Sequence, residues 1–414
     1  MPVRPPPGTP IVVVGAGAAG LMAALFAARS GGDVVLVEGT KDGGRKILIS
    51  GGGRCNILPS EAAPRRYVTD SSSNSLRKML RSWPLREQIA FFEGELGLRL
   101  VREEETGKLF PETNRARDVR DGLVARVREA GARIWFGTRV TDVRPGDTGW
   151  VVSFDGAPDL LASAVVFATG GLSVPATGSD GVGLSIAERL GHRVHPTYPA
   201  LTPLTADPTP HAGLAGISLR VGIRAPGTKP AFTTQDGFLF THRGWSGPAV
   251  LDASHLAIRG RDDGSRQQLE IQWAESDAVQ WDRMLREGKG TVRSCLAAEL
   301  PKRLAEQLCG EAAISVDTSL AVLRREDRRR LVELLTRYDL PWTGDEGYKK
   351  AEVTGGGVAL SEVDPATMES HRAPGIFLCG EILDAFGPIG GHNFLWAWAT
   401  GRAAGRGARR TSAP

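Results

Sequence analysis

The spacing of apolar positions changes several times along the chain, and each change predicts an element. Ile11 to Val14 is a β-branched run, followed by Gly15, Gly17 and Gly20 and then by strong helix formers up to Ala28. This stretch is uncharged and reaches the lower length limit of a membrane span, yet its internal order reads as strand, tight turn and helix. After Gly31-Gly32 a second strand, Asp33 to Val37, ends at Glu38. Ala164 to Phe167 is a buried-type strand closing in Ala168-Thr169-Gly170-Gly171, and Gly375 to Cys379 repeats that form ahead of Gly380-Glu381 and Asp384. Phe394 to Gly405 returns to a helix-like run. In the middle, Pro196 to Pro203 is proline-dense and predicts a stiff connection at a domain boundary. Ile217 to Ile223, Ala231 to Thr241 and Gln267 to Trp273 read as strands, with Gln235-Asp236-Gly237 as a hairpin turn inside the second. From Glu275 to Tyr338 the apolar residues take helical spacing, as in Leu296, Leu300, Leu304 and Leu308, or Leu331, Leu334 and Leu335.

This succession predicts an α/β fold: a Rossmann-like, doubly wound, mostly parallel sheet with an inserted β-barrel-like plus helical domain. The expected boundaries are 1–195 for the first part of the dinucleotide domain, 196–274 for the β-rich insert, 275–340 for the helical insert and 341–414 for the returning part.

Composition narrows the function. Hydrophobic residues at 41% and charged residues at 24% are those of a globular chain. Lys plus Arg 51 against Asp plus Glu 47 leaves only +4, so no nucleic-acid partner is expected from charge. The block Arg324 to Arg330 reads as a solvated helix face with i, i+4 acid-base pairs, and Arg402 to Arg410 as a frayed end. Cys55, Cys295, Cys309 and Cys379 show no Cys-x-x-Cys spacing, which argues against a zinc site and a dithiol redox pair. With no leader-like pattern in Met1 to Pro10, a cytoplasmic, membrane-free protein is the expectation.

The chemistry lies in the glycines. Gly15-Ala16-Gly17-Ala18-Ala19-Gly20 fits G-x-G-x-x-G between a strand and a helix: one glycine for the turn, one for close approach of a pyrophosphate, one for helix packing. Glu38, followed by Gly39, is placed to accept from ribose hydroxyls and favours an unphosphorylated adenosine ribose, as in FAD or NAD. Lys46 and Gly51-Gly52-Gly53-Arg54-Cys55-Asn56 form a basic, glycine-lined anion and ring cradle. Thr169, Gly170 and Gly171 offer backbone to a dinucleotide edge, and Glu381 and Asp384 offer carboxylates to a ribityl chain. Gly390-Gly391-His392-Asn393-Phe394 opens a helix whose N–H groups could face the flavin N1 and C2 carbonyl. Val140 and Gly380 complete the expected cofactor set. No metal site is expected.

The stretch GRKILISGGGRCN, the segment Lys350 to Val358, Thr241 to Ala249, and the closing GE-x-x-D with GP-x-GG-x-N resemble the HI0933-like (YhiN/BaiN-type) family of bacterial NAD(P)/FAD-dependent oxidoreductases. The resemblance spans both ends of the chain and most of the middle. It implies FAD held by Gly15, Gly17, Ala19, Gly20, Glu38, Gly53, Arg54, Asn56, Gly170, Gly380, Glu381, Asp384, Gly391, Asn393 and Phe394. His392 stands where the family usually has an aromatic or apolar residue, and Cys379 where alanine is expected.

The function expected on this basis is a flavin oxidoreductase. NAD(P)H, as a transient donor, or an organic donor reduces FAD, and a small-molecule acceptor bound in a cleft between FAD and inserted domains reoxidises it. A flavin-dependent RNA-modifying protein and a non-catalytic FAD-stabilised binding protein are the alternatives. The sequence names no catalytic acid or base: His192, His195, His211, His242, His255, His371 and His392 form no defining arrangement. It is equally silent on oligomeric state.

Overall fold

The computed structural model describes residues 6–411; Met1 to Pro5, half of the stretch read for a leader, lie outside the described residues. Five strands, β1 (Ile11–Val14), β2 (Val34–Glu38), β3 (Arg133–Phe136), β4 (Ala164–Phe167) and β5 (Ile376–Leu378), form one sheet in the order β5-β4-β1-β2-β3. Every neighbouring pair is parallel. All residues of β1, β2, β4 and β5 are buried, which is why these segments read as continuous apolar runs. Val14 is level with Val37 and Phe167. That register brings Gly15, Glu38 and Ala168 out together at one edge of the sheet, the edge where parallel sheets bind ligands.

Three helices matter to the site: α1 (Ala18–Arg29), α2 (Arg45–Ile49) and α3 (His392–Thr411). The alanines of α1 let α3 approach to backbone distance. A Cβ on Gly401 would stand 2.3 Å from the Ala19 carbonyl oxygen, and one on Gly405 2.2 Å from that of Ala23. Among the described residues no helix is long and apolar enough to cross a membrane.

The chain divides into two compact units, Met1–Tyr198 with Val353–Pro414, and Pro199–Glu352. In the second, seven strands pair antiparallel in the order Tyr338–Asp339, Glu270–Gln272, Ser218–Ala225, Phe232–Phe240, Gly244–Ser246, Leu204–Thr205, Gly344–Asp345. The two edge strands follow one another in the chain. Phe238, Phe240 and Trp245 of this sheet, and Trp273 just past one of its strands, share one core with Trp281, Leu296, Leu304, Leu331 and Leu335 of the helices. The β-rich and helical segments, set apart by composition, are therefore parts of one unit, and residues 341–352 belong to it.

Four local expectations are corrected. Gln235-Asp236-Gly237 is no turn: Phe232–Phe240 runs unbroken, with Gly237 opposite Arg220. The strand passes close to Gly247, where glycine is required, since a Cβ there would meet the Gly237 carbonyl oxygen at 2.6 Å. The proline-dense stretch is largely a strand, Val194–Ala200, in a two-stranded sheet that spares the missing N–H groups. Arg402 to Arg410 does not fray: Arg402 lies over Phe26 and Trp83 and donates to the Ser82 carbonyl, and Arg409 donates to that of Ser30. The Arg324 to Arg330 block pairs with acids, but through Asp282 of a neighbouring helix and the i, i+3 residue Asp327.

Candidate dinucleotide site

Gly15 turns with φ +99, and a Cβ there would meet the Ala168 carbonyl oxygen at 2.5 Å. Gly20 presses harder, its Cβ position lying 1.7 Å from the Gly15 carbonyl oxygen, so helix and turn touch backbone to backbone. Gly17 differs in kind. It caps α1 in extended conformation, φ −76 and ψ −172, and nothing lies within 4 Å of its Cβ position. The turn thus leaves open space in front of the first N–H groups of α1, which have no partners inside the helix.

Glu38, 8% exposed, accepts from the Ala16 N–H through Oε2 and from the Thr40 N–H and hydroxyl through Oε1, each at 2.7 Å. Its carboxylate shapes the first turn and keeps lone pairs for further donors. The Ala16 carbonyl accepts from the Gly44 N–H at 2.8 Å, which ties the second glycine loop to the first. Gly39 lies against Arg139, and buried Val140 opens the next strand.

In the second loop Lys46, on α2, donates to Glu381 Oε2 and to Ser173 Oγ, both at 2.6 Å. Glu381 Oε1 accepts from the Ser173 hydroxyl and from the Thr354 N–H and hydroxyl at 3.1 and 3.0 Å. The side chains of Lys46 and Glu381 are 25% and 18% exposed, so the pair is mostly out of water. Gly170 and Gly171 close on the same cluster, a Cβ at Gly171 standing 2.4 Å from Thr354 Oγ1, while Gly380 abuts Ala19. Thr169 supports the turn from below, 2.0 Å from the Cβ position of Gly183. Gly51, Gly52 and Gly53 have φ +56, +67 and +86, and Gly52 faces open space. Cys55 points the other way: it is fully buried, and burial pushes its thiol up to about 12, leaving only its backbone for a ligand. The Arg54 guanidinium lies 4.1 Å from the Phe110 ring centroid and pairs with Glu103 at 3.1 Å.

The third loop is tied to the second by Asn56, whose side chain donates to the Leu58 carbonyl at 3.2 Å and accepts from the Gly391 N–H at 3.0 Å. Asn393 pairs with both backbone groups of Gly387, at 2.8 and 2.9 Å, and Phe394 stacks on Trp398. Asp384 does not turn to this loop. Its Oδ2 accepts from Thr69, Asp70 and Ser71 at 2.7 to 3.0 Å and fastens residues 69–71. His392 is 3% exposed, its Nδ1 has no hydrogen-bond partner, and its carbonyl accepts from the Tyr67 hydroxyl at 2.7 Å.

Burial, with Arg66 nearby, lowers the His392 pKa from 6.5 to about 4, so the ring is neutral at neutral pH rather than titrating there. Between those values the unfolded chain binds the extra proton, so this group's contribution to stability rises with pH and is lost as pH falls from about 6.5 to about 4. One such proton is worth at most about 1.4 kcal/mol per pH unit. Denaturant unfolding across that window should show a shallower acid decline for His392→Gln than for the parent; equal slopes would contradict the buried neutral state.

Gly15 to Gly20, Glu38, Lys46, Gly51 to Gly53, Gly170, Gly171 and Glu381 thus surround the end of the parallel sheet, with Asn56, Gly390, Gly391 and His392 linked to them. The side chains of Cys55, Asp384 and Asn393 are engaged elsewhere. The sequence did not single out Ser173, Thr354, Lys108 or Phe110. Lys108 and Phe110 alternate on one short strand, a weak signal; Thr354 lies inside the Lys350 to Val358 segment, and Ser173 carries none.

A family model described as HI0933-like protein Rossmann domain matches residues 9–407. The ribosomal RNA dihydrouridine synthase of Escherichia coli (strain K12) is 32% identical over 399 residues, 94% of this chain and 95% of that protein. The 3-dehydro-bile acid delta(4,6)-reductase of Clostridium scindens is 31% identical over 407 residues, 96% of this chain and 98% of that protein. Among solved structures, a flavocytochrome c3 fumarate reductase in an open conformation matches with a TM-score of 0.51 and 19% identity, covering 98% of this chain and 78% of that one, a likeness of fold. With a parallel sheet in Rossmann order, its glycine turn and acid in place, and a match over nearly its whole length, the chain belongs to the HI0933-like family.

Proposed function

We propose that this chain is an FAD-dependent oxidoreductase that adds two hydrogens across a carbon–carbon double bond conjugated to a carbonyl group. The cofactor reading rests on the fit of the residues present. Gly17 leaves space before the α1 N-terminus, Glu38 keeps free lone pairs beside it, and Gly52 faces open space in the left-handed loop 51–53. Buried His392 Nδ1 lacks a partner. Gly15 to Gly20 would hold the pyrophosphate and Glu38 the adenosine ribose. Glu381, oriented by Lys46 and Thr354, would hold the ribityl chain, and the loops at 51–53 and 390–391 the ring. FAD, when bound, supplies hydride transfer between a donor and the acceptor.

The acceptor reading is carried by one observation. Two relatives of nearly equal identity bear names with unrelated substrates, a ribosomal RNA uridine and a bile acid, yet both names denote saturation of a double bond conjugated to a carbonyl. In the reaction proposed for this chain, hydride would go to the far carbon of the conjugated double bond and a proton to the carbon beside the carbonyl. We assign a small-molecule acceptor first, with NAD(P)H as donor docking without a Rossmann turn of its own. A uracil base in RNA is the second reading, favoured by the name of the Escherichia coli relative.

FAD-loaded protein, photoreduced without oxygen, should be reoxidised at about 450 nm by a 4-en-3-one steroid or a uracil-containing RNA, with equimolar saturated product, and not by an isolated alkene. The acceptor that works separates the two readings. Reoxidation by oxygen but by neither conjugated acceptor would overturn the proposal.

A further inference from the structure

The short strand Lys108–Pro111 runs between the two glycine loops assigned above to the flavin ring. Alternation along it puts Lys108 and Phe110 on one face and Leu109 on the other. Phe110 covers the first loop: its Cε1 lies 3.0 Å from the Cβ position of Gly51, and its ring carries the Arg54 guanidinium. Lys108 covers the second, its Cε and Cγ being the nearest atoms to the Cβ position of Gly390, at 3.6 and 3.8 Å. One face of one strand therefore spans both loops.

The two lysines of the site differ. The Lys46 ammonium is committed to Glu381 and Ser173. Among the described residues the Lys108 ammonium has neither a hydrogen-bond acceptor nor a carboxylate within salt-bridge distance, and Glu103, whose field it shares, is paired with Arg54. Beside Gly390 begins α3, a 20-residue helix whose first N–H groups have no partner within the helix. The first residue of that helix is His392, buried, with Nδ1 unpartnered. An unneutralised cation, the positive end of a long helix and an unsatisfied buried ring nitrogen thus meet at one loop.

We propose that Lys108 is a charge-tuning residue: together with the α3 N-terminus, its ammonium favours negative charge on the pyrimidine edge of a flavin ring held by the loops at 51–53 and 390–391. The proposal rests on the FAD reading above. Neighbouring charge is one of the levers by which a protein sets flavin electronics, and a full cation adds to what a helix dipole supplies. Neutral His392 contributes no net charge there.

The test compares FAD-loaded wild type, Lys108→Met and Lys108→Arg. Sulfite is the probe: its sulfur lone pair forms a bond to flavin N5 and the displaced electron pair leaves negative charge at N1 and the C2 carbonyl. Lys108→Met should retain full FAD and an unchanged thermal midpoint. It should bind sulfite about tenfold more weakly, and a tenfold shift in the two-electron reduction equilibrium corresponds to a midpoint potential about 30 mV lower. Lys108→Arg should stay within about twofold of wild type on both readings. Lys108→Met with full FAD and wild-type sulfite affinity and potential overturns the proposal while leaving the FAD reading intact. Loss of FAD from Lys108→Met, with retention by Lys108→Arg, also overturns it, since the charge would then serve retention rather than tuning. A wild-type protein that takes up no FAD fails the earlier reading, and is seen before any variant is compared.

Discussion

Gly17→Val is expected to give a folded protein that does not hold FAD. The residue is extended, a conformation any side chain adopts, and no atom lies within 4 Å of its Cβ position, so valine meets nothing in the protein itself. What it fills is the space in front of the α1 N-terminus. Stability should therefore stay within about 1 kcal/mol of the parent, while FAD affinity should fall by more than about a hundredfold, or about 2.7 kcal/mol. Gly20→Val is the contrast. Its Cβ would overlap the Gly15 carbonyl at 1.7 Å, and overpacking of backbone against backbone should cost about 3 kcal/mol or more. Thermal midpoints and FAD content of the two variants separate a cofactor effect from a folding effect; a Gly17→Val protein carrying a full complement of FAD would remove the pyrophosphate assignment.

The second large effect is expected at Lys46. Removing its ammonium in Lys46→Met leaves Glu381 held by Ser173 and Thr354 without its cation. At 18% and 25% exposure the pair lies between a surface bridge and a buried one. A loss of about 1–3 kcal/mol in stability is expected, below the full cost of an unpaired buried charge. FAD affinity should fall as well, because Glu381 loses the partner that fixes its orientation. Glu381→Gln in the Lys46→Met background should recover part of the stability, since a neutral amide needs no cation, and the double-mutant cycle should show a coupling of about 1–2 kcal/mol. Additive effects of the two substitutions would show that the 2.6 Å contact carries no energy.

These two sites also mark what the sequence could and could not disclose. The turn at Gly15 to Gly20 is a local requirement of backbone space, and Glu38 follows at the end of the next strand, so residue type and spacing suffice to find them. The partner of Lys46 lies 335 residues away and is brought to it by the parallel pairing of β4 with β5. No local pattern encodes that meeting, nor the roles of Ser173 and Thr354. The donors of Asp384, Thr69 to Ser71, likewise come from a distant segment that no local pattern ties to it. Gly237 carried a turn signal that cross-strand pairing with Arg220 overrode, and Arg402 a charge that two aromatic rings drew inward.

The most direct test of the account is a calorimetric titration of flavin-stripped protein with FAD, with FMN and NAD as comparison ligands. The account predicts saturable binding of one FAD per chain, with FMN and NAD weaker by at least about a hundredfold, because only FAD engages the pyrophosphate turn, Glu38 and both ring loops together. Absence of saturable FAD binding, or NAD binding as tightly as FAD, would contradict it.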